Sequence, residues 1–414
     1  MMHRVVITGM GCVTPIGNSL DDFWNALLCG ENGVAPITHF DASKYDTQFA
    51  AEIKNFDPLN HIDKKTLKRI DPFTIYALSA VDMAVKNSQL DFSNLDQDRA
   101  GVIFGSGIGG IKTLQSQTKA LLETGDPKTV SPFFVTMMIA DIVAGYISIH
   151  YGLKGPNYCT TSACATSSHS IADAFMLIQR GTSDVMICGG SEASITELGI
   201  AGFNAMRAIS TWNDRYLEAS RPFDKDRNGF VMGEGSGALV LEEMNHAINR
   251  GANIYAEIAG IGLTADAFHI TAPDPEGRGA QKAMKNSIYE ANISLNDIDY
   301  INAHGTSTPL NDVTETKAIK SVFGDHAKKL TVSSIKSMTG HLLGAAGGVE
   351  AIATVLSIKN DIIPPTINLT NPDPECDLDY SANTPTKRIV NAAISNTFGF
   401  GGHNASLLFK KFTP

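Results

Sequence analysis

The order of the apolar runs constrains this chain more than any other feature. Short stretches rich in Val and Ile recur between segments of helical spacing, in two successive series. The first series is VVITGMG at 5–11, AGVIFGSG at 100–107, DVMICGG at 184–190 and GALVLEE at 237–243. The second is IYAEIAGIGLT at 254–264, IDYINAHGTST at 298–308, KLTVSSIKS at 329–337 and NAAISNTFGFGG at 391–402. Such alternation predicts an α/β protein whose strands are buried under helices. The order of elements suggests a duplication, although no literal repeat is visible, with a join near 245–255. The expected halves are 1–250 and 251–414. No low-complexity segment or long Pro/Ser linker separates them, so they are expected to pack together and to share an interface where a site can lie.

Composition narrows the function classes. The 414 residues allow a deeply buried site. A formal charge of −10 argues against general affinity for nucleic acid or anionic lipid, so an acidic partner needs a local basic patch. The opening MMHRVVITGMGCVTPIG has too short an apolar run for a signal-peptide core or a membrane span, and a cytoplasmic protein without membrane insertion is expected. The six cysteines, Cys12, Cys29, Cys159, Cys164, Cys188 and Cys376, lack C-x-x-C pairing, which suggests neither a disulfide framework nor a zinc site.

Cys164 stands apart from the other five. In SACATSSHSIADAFMLIQRG, Ile171, Ala174, Phe175 and Ile178 fall at helical spacing and Gly181 suits a left-handed helix end, so Cys164 sits where the helix begins. A thiol there faces the positive end of the helix dipole and the unpaired amides of the first turn, and its pKa is expected to fall. Most cysteines of such chains are inert buried hydrophobes, so companions must decide. NAHGTSTPLND at 302–312 brings His304; SSIKSMTGHLLGAAG at 333–347 brings Lys336 and His341. Each histidine lies where a strand-like run gives way to Gly, Thr and Ser, the setting of sites in α/β folds. Taken alone, either histidine reads more readily as structural.

These motifs, with RPFDKDRNGFVMGEGSG at 221–237 and NTFGFGGHN at 396–404, resemble the β-ketoacyl-acyl-carrier-protein synthases of dissociated fatty-acid synthesis, over essentially the whole chain. The resemblance implies a thiolase-like duplicated fold, a five-layer α-β-α-β-α stack with a five-stranded sheet in each half, and a homodimer. It implies that Cys164 accepts an acyl chain from acyl-carrier protein, and that His304 and His341, as neutral imidazoles, stabilise the enolate left when malonyl-carrier protein loses its carboxylate. Lys336 takes an electrostatic role. The amides of Cys164 and Phe400 form the oxyanion hole, and Phe400 is also a gate that moves with the loop TADAFHIT at 264–271.

By the same resemblance Thr306 and Thr308 hold the pantetheine arm, and Ile108 lies near the far end of the acyl pocket. Lys64, Lys65, Lys68 and Arg69 are expected to cluster on a helix and, with Arg207, to receive the acidic carrier. No cofactor is required; a structural sodium or potassium ion is implied at Asn302, Glu350, Ser395 and Asn396. The stretches at 199–211 and 131–156 look closer to the synthase II branch than to synthase I, whereas His403 stands where the family usually has Thr.

Other readings stay open on the residues alone. A polyketide or aryl-polyene ketosynthase would use the same residues on other acyl chains. A chain-length-factor partner typically lacks the nucleophile that this chain retains. Gly105, Gly107 and Gly110 fit G-x-G-x-x-G after a strand, a weak dinucleotide signal without a clear strand-end acid at the expected place.

Overall fold

Strands buried on both faces need a layer on each side, and the computed structural model, which describes residues 2–414, supplies those layers twice over. The main-sheet strands are β1 (Val5–Val13), β2 (Ala100–Gly105), β3 (Asn157–Tyr158), β4 (Val185–Glu192) and β5 (Gly235–Glu243), then β6 (Ala256–Ala265), β7 (Tyr300–Asn302), β8 (Thr331–Ser333), β9 (Ala392–Gly399) and β10 (His403–Lys410). The core helices are α1 (Pro72–Ser88), α2 (Ile142–Tyr151), α3 (Thr166–Gln179), α4 (Arg278–Ala291), α5 (Pro309–Phe323) and α6 (Ala346–Asn360).

The spatial order is β8-β7-β9-β10-β6-β1-β5-β4-β2-β3. Counted outward from the β6/β1 join, the two arms carry the same sequence of strands, and each strand of one arm lies five places later in the chain than its twin. The pairing senses match as well. β1/β5 and β6/β10 are antiparallel, β4/β5 and β9/β10 antiparallel, β2/β4 and β7/β9 parallel, and β2/β3 and β7/β8 parallel. Helices interleave identically: α1, α2 and α3 in the first arm, α4, α5 and α6 in the second. Three residue pairs of β1 and β6, Val5 with Ile258, Val6 with Glu257 and Ile7 with Ala256, join the two five-stranded arms edge to edge into one ten-stranded sheet.

Alternation along each strand sorts its side chains into separate cores. On β5, Leu239 and Leu241 face the centre while Ala238 and Val240 face α1 and α2; on β10, Leu407 and Phe409 face the centre while Leu408 faces α4 and α5. The centre is filled by α3, through Ile171, Phe175 and Ile178, and by α6, through Val349, Ile352 and Val355. Every residue of α6 from Ala346 to Ile358 is buried, the polar Glu350, Thr354 and Ser357 included, so the helix is enclosed on all sides. Burying one such Ile or Phe side chain contributes about 1.5–3 kcal/mol. The result is the five-layer thiolase-like α/β fold. None of the described helices is long and apolar enough to cross a membrane.

The repeat also determines where the site lies. Each arm's inner helix is entered through a 3₁₀ turn, Ala163–Ala165 before α3 and Leu343–Ala345 before α6. Each turn opens on a non-glycine residue with positive φ, Ala163 at 50° and Leu343 at 48°. Such backbone costs about 1–3 kcal/mol and persists where the surrounding structure holds it. Cys164 and Gly344 are therefore twins, and they approach each other at the carboxyl ends of the parallel strands.

Candidate active site

Cys164 sits in the turn that opens α3, with only 7% of its surface exposed. His341 Nε2 lies 2.9 Å from its Sγ. The other ring nitrogen, Nδ1, accepts the Leu343 amide at 3.3 Å, so the network puts the ring proton on Nε2, which donates to the sulfur. The Phe400 amide also donates to Sγ. The helix start was expected to lower the thiol's pKa. The structure corrects this: burial pushes Cys164 up to about 12, against the opposing pull of the Lys336 ammonium and the Phe400 amide. Desolvation outweighs the dipole because the turn is enclosed, so in the free enzyme the resting group is a thiol.

His304 follows β7. Its amide and that of Gly305 donate to the two oxygens of Glu315, at 2.9 and 2.8 Å, which ties the turn to α5. The His304 and His341 rings stand nearly perpendicular, 5.4 Å between centroids. Burial first, then the Lys336 charge, drives both imidazoles well below their ordinary range, so both are neutral at physiological pH. The Cys164 sulfur and one nitrogen from each ring lie within 4.8 Å of one another. Sγ and Nε2 of His341 are in direct hydrogen-bond contact, closer than the roughly 3.5 Å that two ligands of a tetrahedral zinc keep. Lys336 is buried and paired with Glu350 from α6; it acts on the cysteine and both histidines through its field.

A cavity of about 540 Å³ opens above these groups, walled by Phe203, Phe230, Leu343, Phe398 and Phe400. Thr306 and Thr308 line it, their hydroxyls 2.9 Å apart. Ile108 lines it too, in the turn after β2, and is 42% exposed. The amides of Gly107 and Ile108 donate to the Glu192 carboxylate, so this glycine turn has no free amides there for a phosphate. Phe400 stands between Gly399 and the positive-φ pair Gly401 and Gly402, at 87° and 71°, a turn that side-chain-bearing residues rarely adopt. Gly401 donates to the Ile270 carbonyl at 2.7 Å and Asn404 to Asp266 Oδ1 at 2.7 Å, which couples this turn to the 264–271 loop.

The expectation of a basic helical face needs correction. The basic cluster does not share one helical face: the helix is a single turn, Lys64–Leu67, capped by Asp63, because Lys68 ends it. Lys64, Lys65, Lys68 and Arg69 are all exposed, and the Arg69 guanidinium lies over the Phe133 ring at 4.8 Å. Arg207, with φ of 52°, stands exposed at the cavity mouth. Asn302 Oδ1, Glu350 Oε2 and Ser395 Oγ are buried oxygens without a hydrogen-bond partner, and Asn302 and Ser395 face each other across β7 and β9. These three suit a hard monovalent cation. The neighbouring Asn396 accepts from Ser406 at 2.7 Å through its Oδ1.

Sequence reasoning missed Glu192 and Glu315, two fully buried carboxylates that hold the turns around the nucleophile and His304. The acid at the end of the β-rich run DVMICGGSE was the available signal for Glu192.

Models of known families match twice: the N-terminal domain of beta-ketoacyl synthase over residues 2–247 and its C-terminal domain over 255–370. The chain is 54% identical over 409 residues to a 3-oxoacyl-[acyl-carrier-protein] synthase 2 from Synechocystis sp., covering 99% of this chain and 98% of that one. Among solved structures, a beta-ketoacyl synthase from Burkholderia phymatum superposes with a TM-score of 0.93 at 36% identity, covering all of both chains. A type II polyketide ketosynthase bound to the hexaketide, in complex with its acyl-carrier protein, gives 0.91 at 31%, also over both full lengths.

Proposed function

The chain belongs to the β-ketoacyl-acyl-carrier-protein synthases, in the synthase II branch, and from that premise we propose that Cys164 carries the growing acyl chain while His304 and His341 stabilise the enolate that attacks it. It is an acyltransferase of fatty-acid elongation, catalysing decarboxylative condensation with a malonyl thioester. Polyketide ketosynthases share the fold at distinctly lower identity.

The observation that carries the residue assignment is the convergence of one sulfur and two neutral imidazoles at the floor of an apolar cavity. Cys164 Sγ attacks the acyl thioester carbonyl, giving up its proton, which ends on the sulfur of the departing carrier thiol. The tetrahedral oxyanion is held by the Cys164 and Phe400 amides, and its collapse expels the carrier thiol. The malonyl thioester then loses carbon dioxide, and the bonding pair moves into an enolate whose oxygen accepts hydrogen bonds from His304 and His341. The hydrogen bond from Leu343 to Nδ1 of His341 supports this role, because it leaves Nε2–H pointing into the site. The enolate carbon attacks the acyl-Cys164 carbonyl, and the Cys164 thiolate departs, leaving a 3-oxoacyl thioester two carbons longer.

Lys336 and Glu350 set the local field, and Thr306 and Thr308 bind the amides of the carrier's arm. The carrier docks against exposed Lys64, Lys65, Lys68 and Arg69 with Arg207 at the mouth. A structural sodium or potassium ion is held by Asn302, Glu350, Ser395 and Asn396 and neutralises charge behind the site. The halves 1–250 and 251–414 act as one body, contributing the nucleophile and the His/Lys/His set respectively. The enzyme works in the cytoplasm as a homodimer. Supporting the dimer, β3 is one of the two terminal strands of the sheet, with Tyr158 41% exposed, and an unpaired edge is a template for a second chain. The test incubates the purified protein with acyl- and malonyl-carrier thioesters and follows products by mass spectrometry. Two-carbon-longer 3-oxoacyl thioesters are expected from medium and long chains; their absence would overturn the reading.

A further inference from the structure

Behind Cys164, at the end of β4, the Glu192 carboxylate is wholly buried with no cation beside it. Its Oε2 accepts the Gly107 amide at 3.0 Å and the Gly344 amide at 3.0 Å; its Oε1 accepts the Ile108 amide at 3.3 Å and the hydroxyls of Ser106 and Ser194 at 3.2 and 3.1 Å. The amides come from both arms of the duplicated fold. Gly107 and Ile108 belong to the turn after β2, which forms one wall of the cavity; Gly344 belongs to the turn before α6, whose Leu343 forms another. The two turns pass so closely that a Cβ on Gly344 would lie 2.3 Å from the Gly107 nitrogen. Two backbones whose N–H groups point at the same spot have no acceptor of their own there, and Glu192 supplies one to both.

The same turn controls His341. Leu343, immediately before Gly344, donates the amide that fixes the imidazole's tautomer. By the twofold repeat, the Gly344 amide is the counterpart of the Cys164 amide. One turn presents its amide to the reacting centre, and the other has its amide filled by the protein's own carboxylate.

We propose that Glu192 is a positioning residue that sets chain-length selectivity and the His341 tautomer together, by holding the Gly107–Ile108 wall of the acyl cavity and the Leu343–Gly344 turn on one carboxylate. The inference rests on the acyl-Cys164 reading above. A glutamine cannot replace it: both oxygens of Glu192 face backbone donors, so one position of the amide side chain would turn N–H groups toward N–H groups. Burial pushes the carboxyl up to about 7, against the opposing pull of its amide and hydroxyl donors.

The experiment compares wild type with Glu192→Gln and Ser194→Ala in three readouts: acylation of Cys164 across a series of acyl-carrier chain lengths, decarboxylation of malonyl-carrier protein, and thermal unfolding. In Glu192→Gln the ratio of long-chain to short-chain acylation is expected to change by about tenfold, the scale of one unpaired buried amide. The rate constant for decarboxylation should fall by a similar factor with little change in its KM. Ser194→Ala, which removes one hydroxyl donor and no backbone amide, should shift the ratio in the same direction by a smaller factor and keeps the test open if the glutamine variant does not fold. Variants that lose activity equally at every chain length, or that match wild type, would overturn the role of Glu192. Wild type that fails to acylate Cys164 would instead overturn the parent reading.

Discussion

Replacing Lys336 by Met keeps the length of the side chain and removes its charge. Lys336 and Glu350 are both buried, so removing the ammonium takes from the Glu350 carboxylate the one cationic side chain paired with it. Breaking a buried pair on one side costs about 3–5 kcal/mol. Spread over the unfolding entropy of a chain this long, that lowers Tm by about 3–6 °C. Glu350→Gln should cost a similar amount, whereas the double variant should lose less than the sum of the two, because no uncompensated charge remains.

A second readout follows from the field. Lys336 lowers the pKa of His304 and of His341, after burial, so its removal lets both rise toward the ordinary imidazole range. Protonation would then begin at a higher pH, and the acid limb of malonyl-carrier decarboxylation should move upward in Lys336→Met. Calorimetry and a pH–rate profile check the two parts. An unchanged Tm, strictly additive singles, or an acid limb that stays in place would refute the reasoning.

Three further outcomes are expected. Ile108→Phe puts a ring into the cavity wall and should depress acylation by long chains while sparing short ones, measured as the ratio of adduct formation rates on Cys164. Lys65→Glu should raise the KM for carrier substrates by up to about fivefold at low salt, the scale of one exposed charge pair, with the difference shrinking as ionic strength rises. Sodium or potassium should raise the unfolding temperature relative to tetramethylammonium at equal ionic strength, through preferential binding to the folded state. Asn302→Leu should abolish that difference, and its persistence would remove Asn302 from the ion site.

Much of the fold was legible because period and burial coincide. VVITGMG and GALVLEE are apolar on both faces because β1 and β5 lie between helix layers, and such runs are visible in sequence. The duplication was visible only as an order of elements, since the shared topology of the arms depends on pairing senses and not on residue identity. Cys164, His304 and His341 were legible as separate motifs; their meeting depends on the β1/β6 join and on the packing of α3 against α6. The sign of the Cys164 shift was misread because a helix start is a local feature, whereas desolvation reflects everything packed around it. The basic stretch failed as a helical face because Asp63 caps a helix only one turn long. Glu192 went unseen because its five donors come from three separate segments of the chain.

The central claim concerns the sulfur that carries the acyl chain, and peptide mapping after incubation with a long-chain acyl-carrier protein tests it most directly. The expected result is one acyl group per chain, on the peptide containing Cys164, absent in Cys164→Ala and released as a 3-oxoacyl product when malonyl-carrier protein is added. An adduct on neighbouring Cys159, or condensation that continues in Cys164→Ala, would contradict it.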